Sequence, residues 1–337
     1  MADKLPRNWL VMRLSALGDV TLTTGVLDHL HRTRGWKFHF LTKRSFAPAL
    51  AGHPAIDKLV LPEAKSLNGT AWLSARKELA RTYKGWGLLD LHGTLRSRLL
   101  GVVWDGPVRR YPKFSFSRRL YGLTGSAWAR ERLEALNVPQ RYALAVETEP
   151  PARELLRPRI WLSDEELEGG LRILEGMGSS GPVCALHPYA THAGKRWPAG
   201  HWKELISLLN GQGWQCVIIG SSQEPLFTDD TPRGVSDLTN STDIRQTCAL
   251  LSHCGALVSN DSGPMHLGTA VGTRVVALFG PTTKTWGFFP FGERDTVLEV
   301  DLPCRPCSLH GGRGCRRGER CMREINPQDV LRAVQKN

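Results

Sequence analysis

Short apolar runs alternate with stretches of helical periodicity along most of the chain. No other feature of the sequence restricts the fold so strongly. In the first half, "WLVMRL" (9–14) is apolar except for Arg13. "SALGD" then breaks it, and Val20, Val26, Leu27 and Leu30 follow on one helical face. "WKFHFLT" (36–42) and "IDKLVLP" (56–62) read as strands, the latter stopped by Pro62. A helical stretch over 70–84 leads to a fourth strand, "GLLDLHG" (87–93). The second half repeats the pattern. "VCALHP" (183–188), "WQCVIIG" (214–220), "ALVSN" (256–260) and "RVVALFG" (274–280) read as strands. Helices over 201–213 and 242–254 lie between them, with Gly211 or Gly213 suited to end the first and Thr242 to cap the second. This βαβ rhythm predicts an α/β protein with doubly wound parallel sheets.

The chain has 337 residues, roughly two domains at ~150 residues each. "VETEPPARELLRPRIWLSDEE", rich in proline and charge, marks the boundary. Residues 1–150 are read as one domain, 151–180 as a linker and 181–337 as the second. The final helix, opened by Asn326-Pro327, is one that could return to the first domain. Ligands of open α/β sheets bind at the C-terminal ends of strands, so a cleft between the domains is the expected site. No apolar run reaches the ~18 residues of a membrane span, and the first residues lack a signal-peptide pattern. A cytoplasmic protein is expected. The net charge of +12 fits an anionic partner: nucleic acid, a membrane surface or a phosphorylated substrate.

Three strand ends of the second half carry chemistry. In "NDSGPMHLGT" (260–269), Asp261, Ser262 and Gly263 fall where a strand passes into a helix, and His266 lies about one turn inside. A helix N-terminus offers free N–H groups and a positive dipole end, a ready phosphate site. The same residues would serve a plain N-cap with a packed histidine. "HPYATHAGKRWP" (187–198) offers Thr191 and Lys195 on a loop, and "IIGSSQEP" (218–225) offers Glu224 as an acceptor for ribose hydroxyls. A cation, an acid and a helix N-terminus on consecutive strand ends describe a nucleotide-diphosphate site. G-x-x-x-x-G-K-[ST] is absent, and the one G-x-G-x-x-G match, 176–181, comes before the strand read at 183–188 rather than between a strand and a helix, which disfavours a P-loop NTPase and a dinucleotide dehydrogenase. In the first half, Asp19 opens a helix at a strand end. It suits a general base as well as a dipole-stabilised helix-start acid, and Gly18 beside it would let a substrate come close.

Taken together, "MRLSALGDV", "HPYATHAGKRWP" and "SNDSGPMHLGTAVGTRVVALFGPT" resemble the family-9 glycosyltransferases, the bacterial ADP-heptose:lipopolysaccharide heptosyltransferases. The resemblance implies a GT-B fold, two Rossmann-like domains facing across a cleft, with the donor on the C-terminal domain and the acceptor on the N-terminal one. It puts the family's catalytic aspartate on Asp19 and its diphosphate lysine on Lys195. Its donor-binding acid, hydroxyl, glycine and histidine fall on Asp261, Ser262, Gly263 and His266, with Ser262 where threonine is frequent. Thr191 and Glu224 match the nucleotide loops more loosely. The implied reaction inverts the anomeric carbon and requires no cofactor beyond the ADP-heptose donor, and no Asp-x-Asp motif argues for a metal. The implied acceptor is an anionic lipopolysaccharide core, reached through peripheral contact with the cytoplasmic face of the inner membrane. No nucleic-acid partner is then expected.

The basic excess finds a use there. Arg96, Arg98, Arg118 and Arg119, from "TLRSRLL" and "VRRYPKFSFSRRLYG", suit carboxylates and phosphates, and the interleaved Phe114 and Phe116 would suit base stacking or a membrane interface. A solvated face is the bland alternative. In "CRPCSLHGGRGCRRGERC", Cys304, Cys307, Cys315 and Cys321 form one C-x-x-C with two further cysteines, which fits a structural metal or free thiols. Two other functions stay open: a GT-B-like epimerase or hydrolase, which needs no acceptor-facing Asp19, and a basic RNA- or membrane-binding protein.

Overall fold

The computed structural model describes residues 5–178, 181–228, 231–290, 292–312 and 314–336. Contacts within the chain divide it into two units, Met1–Phe114 with Leu136–Trp161, and Ser115–Ala135 with Leu162–Asn337.

Among the described residues the first unit holds five parallel strands: β1 (Asn8–Met12), β2 (Lys37–Leu41), β3 (Ile56–Val60), β4 (Gly87–Asp90) and β5 (Val108–Arg110), in the order β3-β2-β1-β4-β5. The second holds six: β6 (Val183–His187), β7 (Gln215–Ile218), β8 (Val235–Asp237), β9 (Ala256–Asn260), β10 (Val275–Phe279) and β11 (Thr296–Glu299), in the order β11-β10-β9-β6-β7-β8. Every pairing is parallel. Both are Rossmann-like doubly wound sheets, as the resemblance implies. The central strands β4, β6, β9 and β10 are buried at every position. Parallel sheets are covered on both faces, so such strands read as near-continuous apolar runs rather than alternating, with polar residues such as Asp90, His187 and Asn260 only towards their C-terminal ends. That is why they stand out in the sequence.

Each sheet has one place where the strand order reverses: between β1 and β4 in the first unit, and between β6 and β9 in the second. Connections leave such a point in opposite directions and open a crevice at the strands' C-terminal ends. The residues after β1 and β4, and those after β6 and β9, therefore line the two natural binding positions.

Local signals set the helix ends. Leu17–Arg34 closes on Gly35 with φ +66. Ile244–Ser252 is capped by Asp243, whose carboxylate accepts the Gln246 N–H at 2.8 Å, and not by Thr242, which bonds the Thr247 hydroxyl instead. The acid wins because its charge also suits the positive end of the helix. The final helix, Pro327–Gln335, is taken up in its own unit, with Val330, Leu331 and Val334 in the core beside Trp202 and Leu205. The paired helices Ser115–Thr124 and Ala127–Glu134 fall between the two segments of the first unit in sequence but belong to the second. Tyr121 meets Trp286 edge-on at 5.7 Å, and the Thr285 hydroxyl donates to Glu134 at 2.8 Å.

Candidate functional site

Asp19 occupies the first turn of Leu17–Arg34, immediately after β1 at the first unit's reversal point. One carboxylate oxygen accepts the Ala16 N–H at 3.0 Å. The other is paired with the Arg13 guanidinium and accepts the Tyr142 hydroxyl at 3.2 Å. Arg13 also donates to the Leu91 carbonyl at 2.6 Å, tying the ends of β1 and β4 together. Burial works against both charges, but their mutual attraction and the added hydrogen bonds outweigh it. The Asp19 pKa is lowered and that of Arg13 raised. Burial, with the Asp19 charge, keeps Tyr142 protonated. Asp19 is thus an ionised carboxylate whose side chain is still 17 % exposed. Gly18 is buried in the same turn. His92, just past β4, is 8 % exposed, and burial followed by the Arg13 charge pushes its pKa down to about 4. It is a neutral imidazole beside the aspartate.

At the second unit's reversal point, Lys195 Nζ lies 2.7 Å from Asp261 Oδ2. The Thr282 hydroxyl donates to the same oxygen at 2.5 Å. Asn260, at the end of β9, donates to the Pro188 carbonyl at 2.8 Å and accepts the Trp197 N–H at 3.1 Å, so one side chain fixes both ends of the Lys195 loop. Ser262 precedes the helix Gly263–Val271 without capping it. Its hydroxyl turns instead to the Asn260 carbonyl (3.2 Å) and to His187 Nδ1 (3.1 Å). The helix therefore begins at Gly263 with no side chain from its cap residue on the first-turn amides. Burial pushes the His187 pKa down to about 4. Gly220 has φ +118, and a Cβ there would stand 2.7 Å from the His187 ring. Lys195 is hemmed in likewise: a Cβ on Gly311 (φ +83) would meet its Cε at 2.6 Å. His266 is 4 % exposed in the same helix, Thr191 is exposed on the loop, and Glu224 is 86 % exposed with Arg196 at 3.6 Å. The structure brings Lys195, Asp261, Ser262 and Gly263 together, while Thr191 and Glu224 sit at the margin.

The four arginines divide between the units. Arg96, which donates to Asn68 at 3.3 Å, and Arg98 ride on Leu95–Val102 of the first. Arg118 and Arg119, expected in the first domain, lie in the second. There, with Leu123, Trp286, Pro306 and Leu309, they line a cavity of about 500 Å³. Cys304, Cys307, Cys315 and Cys321 all border one cavity of about 60 Å³. Cys315 Sγ accepts the N–H groups of Arg317 and Glu319, each at 3.3 Å. Burial raises the Cys307 pKa and pushes that of Cys321 up to about 11, so both are thiols at neutral pH. Among the described residues no three His, Cys, Asp or Glu side chains are grouped to hold a metal ion.

Arg13, Tyr142, His92, Asn260, His187 and Thr282 were not legible as site residues. Arg13 carried one signal, a charge inside an apolar strand, which must find a partner when buried. Thr282 carried another, as the hydroxyl following β10 in "FGPT".

The sequence model described as glycosyltransferase family 9 (heptosyltransferase) matches residues 113–313. The lipooligosaccharide heptosyltransferase 2 of Campylobacter jejuni is 27 % identical over 164 residues, 46 % of this chain and 51 % of that protein. The chain thus spans about half the length of that curated relative. The lipopolysaccharide heptosyltransferase 1 of Pseudomonas aeruginosa is 26 % identical over 322 residues, 88 % of this chain and 85 % of that protein. The structure of the Escherichia coli ADP-heptose lipopolysaccharide heptosyltransferase II superposes with a TM-score of 0.71 at 22 % identity, covering 97 % of both chains.

Proposed function

Since the chain belongs to glycosyltransferase family 9, the heptosyltransferase family, we propose that it moves a heptose from ADP-heptose to an anionic lipopolysaccharide inner-core acceptor, inverting the anomeric carbon. The observation that carries the reading is the Lys195–Asp261 pair, 2.7 Å apart at the reversal point of the second sheet, beside a helix start that its own cap residue leaves open. A diphosphate needs a cation and free amide donors, and both are present. Asp261 aims the lysine, and Thr282 holds Asp261.

The acceptor hydroxyl gives its proton to Asp19 as its oxygen bonds to the anomeric carbon. The bond from that carbon to the ADP oxygen breaks on the opposite face, and ADP carries away the electron pair. The growing charge on the leaving phosphate is met by Lys195 and the amides at the Gly263 helix start. Preorganised donors of this kind supply about 3 kcal/mol each. The lowered pKa of Asp19 makes it a weak base toward a resting alcohol. Proton transfer therefore belongs late, when bonding to the anomeric carbon has made the hydroxyl acidic. Arg96, Arg98, Arg118 and Arg119 are assigned to the acceptor's carboxylates and phosphates.

Calorimetric titration with ADP, UDP and GDP tests the donor assignment. ADP binding that Lys195→Ala weakens about tenfold or more supports it, consistent with one charge-assisted hydrogen bond. A preference for UDP or GDP keeps the transferase but removes the heptose. Binding of no nucleotide overturns the reading.

A further inference from the structure

The helix Ser115–Thr124 presents an apolar stripe to solvent. Its buried side carries Ser117, 3 % exposed, and Tyr121 packs on Trp286. Phe116, Leu120 and Leu123, at i, i+4 and i+7, share the other side, where Phe116 is 71 % and Leu123 81 % exposed. A surface helix of a globular protein ordinarily turns such a stripe to the core. The neighbouring helix adds Trp128, 52 % exposed, with the Arg132 guanidinium 5.6 Å from its ring centre. Arg119, Arg130 and Arg132 are exposed around these side chains. Of the two glutamates in Ala127–Glu134, Glu134 is occupied by Arg130 at 3.0 Å and Thr285 at 2.8 Å. With Glu131 exposed as well, the two helices carry four arginines against two glutamates, so the face is apolar at its centre and net cationic at its margin.

We infer that this helical pair seats the protein on an anionic lipid bilayer, with Phe116, Leu123 and Trp128 entering the interface and the arginines meeting lipid phosphates. An exposed apolar stripe flanked by arginine, with an aromatic ring at the boundary, is the pattern of a helix lying in a membrane surface. A second copy of the chain fits less well. A two-fold contact through this stripe would bring Arg119, which interrupts it, close to its own mate, with no exposed acid on that helix to separate them. The inference extends the reading of the acceptor as a lipid-borne glycan, since it names the surface that would bring the enzyme to it. Its physical basis does not depend on the transfer chemistry.

Co-sedimentation of the full chain with vesicles of phosphatidylcholine, with and without phosphatidylglycerol, tests it. Binding is expected to the anionic vesicles and to weaken as salt rises. The Phe116→Ser/Leu123→Ser pair and Arg132→Glu should each cut it about tenfold, as expected for lost apolar insertion or for a reversed charge. ADP affinity, measured on the same preparations, should stay at the wild-type value. Lys195→Ala should change ADP affinity and leave vesicle binding intact, so a failed donor assignment and a failed docking face give different results. No binding to anionic vesicles, equal binding to neutral ones, or binding indifferent to the Ser pair overturns the inference. So does self-association that the Ser pair abolishes, since a second copy would then cover the stripe.

Discussion

Asp19→Asn removes a charge and almost no volume, and its consequences follow from the surroundings of Asp19. The amide can still accept one hydrogen bond from Tyr142 or the Ala16 N–H, but it cannot neutralise Arg13. The Arg13 side chain is 8 % exposed and its pKa is raised, so it stays charged. Breaking a buried pair from one side costs about 3–5 kcal/mol. The variant should therefore unfold earlier in urea. A general base contributes about 10²- to 10⁴-fold to rate, or roughly 3–5 kcal/mol of barrier, and this is lost as well. The two effects separate in the Arg13→Gln/Asp19→Asn double variant. It leaves no orphan charge and should recover much of the stability while remaining as slow as the single variant. Heptose transfer followed as ADP release at saturating donor and acceptor reads the rate, and ADP calorimetry shows whether the donor site is intact. A folded Asp19→Asn protein within tenfold of wild-type turnover would refute the base assignment. Recovery of turnover in the double variant would do the same, by making Asp19 a structural partner of Arg13.

Thr282→Val deletes the 2.5 Å hydrogen bond to Asp261; ADP affinity should fall about ten- to a hundredfold, as for one hydrogen bond to a charged group, and Thr282→Ser should restore it. Burial holds His53, His92 and His187 near pKa 4 in the folded chain, against an ordinary value of 6.5. The unfolded chain takes up their protons first as pH falls. Stability is therefore constant on this account above about pH 6.5 and drops between 6.5 and 4 by ~1.4 kcal/mol per pH unit for each histidine. Urea midpoints at pH 7, 6 and 5 measure it, and a flat profile would contradict the burial. With a thiol reagent, Cys307 and Cys315 should react first, because they are exposed while Cys184, Cys216, Cys248, Cys254 and Cys321 are buried. Protection of both until a chelator is added would instead indicate a bound metal.

Much of the fold could be read from the sequence because buried parallel strands leave a plain signature. "VCALH" and "VVALF" admit no polar face, and each was recognisable as a strand. The edge strands Val108–Arg110, Val235–Asp237 and Thr296–Glu299 were not, since they are short, partly exposed and lack an unbroken apolar run. The helical pair over 115–134 was hidden in an arginine-rich stretch, where charge rather than periodicity drew the reading. At the site, residues on a strand-to-helix turn could be placed from local order alone: Asp19, Lys195, Asp261, Ser262 and Gly263. Tyr142 could not, because its hydroxyl reaches Asp19 across a long chain separation and no local pattern encodes such a contact. His187 was passed over because a histidine at a strand end reads as core. It is buried, yet its ring meets the Ser262 hydroxyl at the same turn.

The division of the chain also bears on how it is made. The pair Ser115–Ala135 is synthesised before Leu136–Trp161, which completes the first unit, and long before Thr285 and Trp286, on which it rests. Domains made in order fold as units, N-terminal first. The first unit can thus close while the two helices project from it as an excursion, their docking platform still untranslated. During that interval Tyr121 is uncovered together with Phe116 and Leu123, and the nascent chain carries a sticky segment that only the last third of synthesis can half conceal. Chaperone capture or early attachment to a surface would act on this segment first, and its arginines are the residues that keep it soluble while it waits.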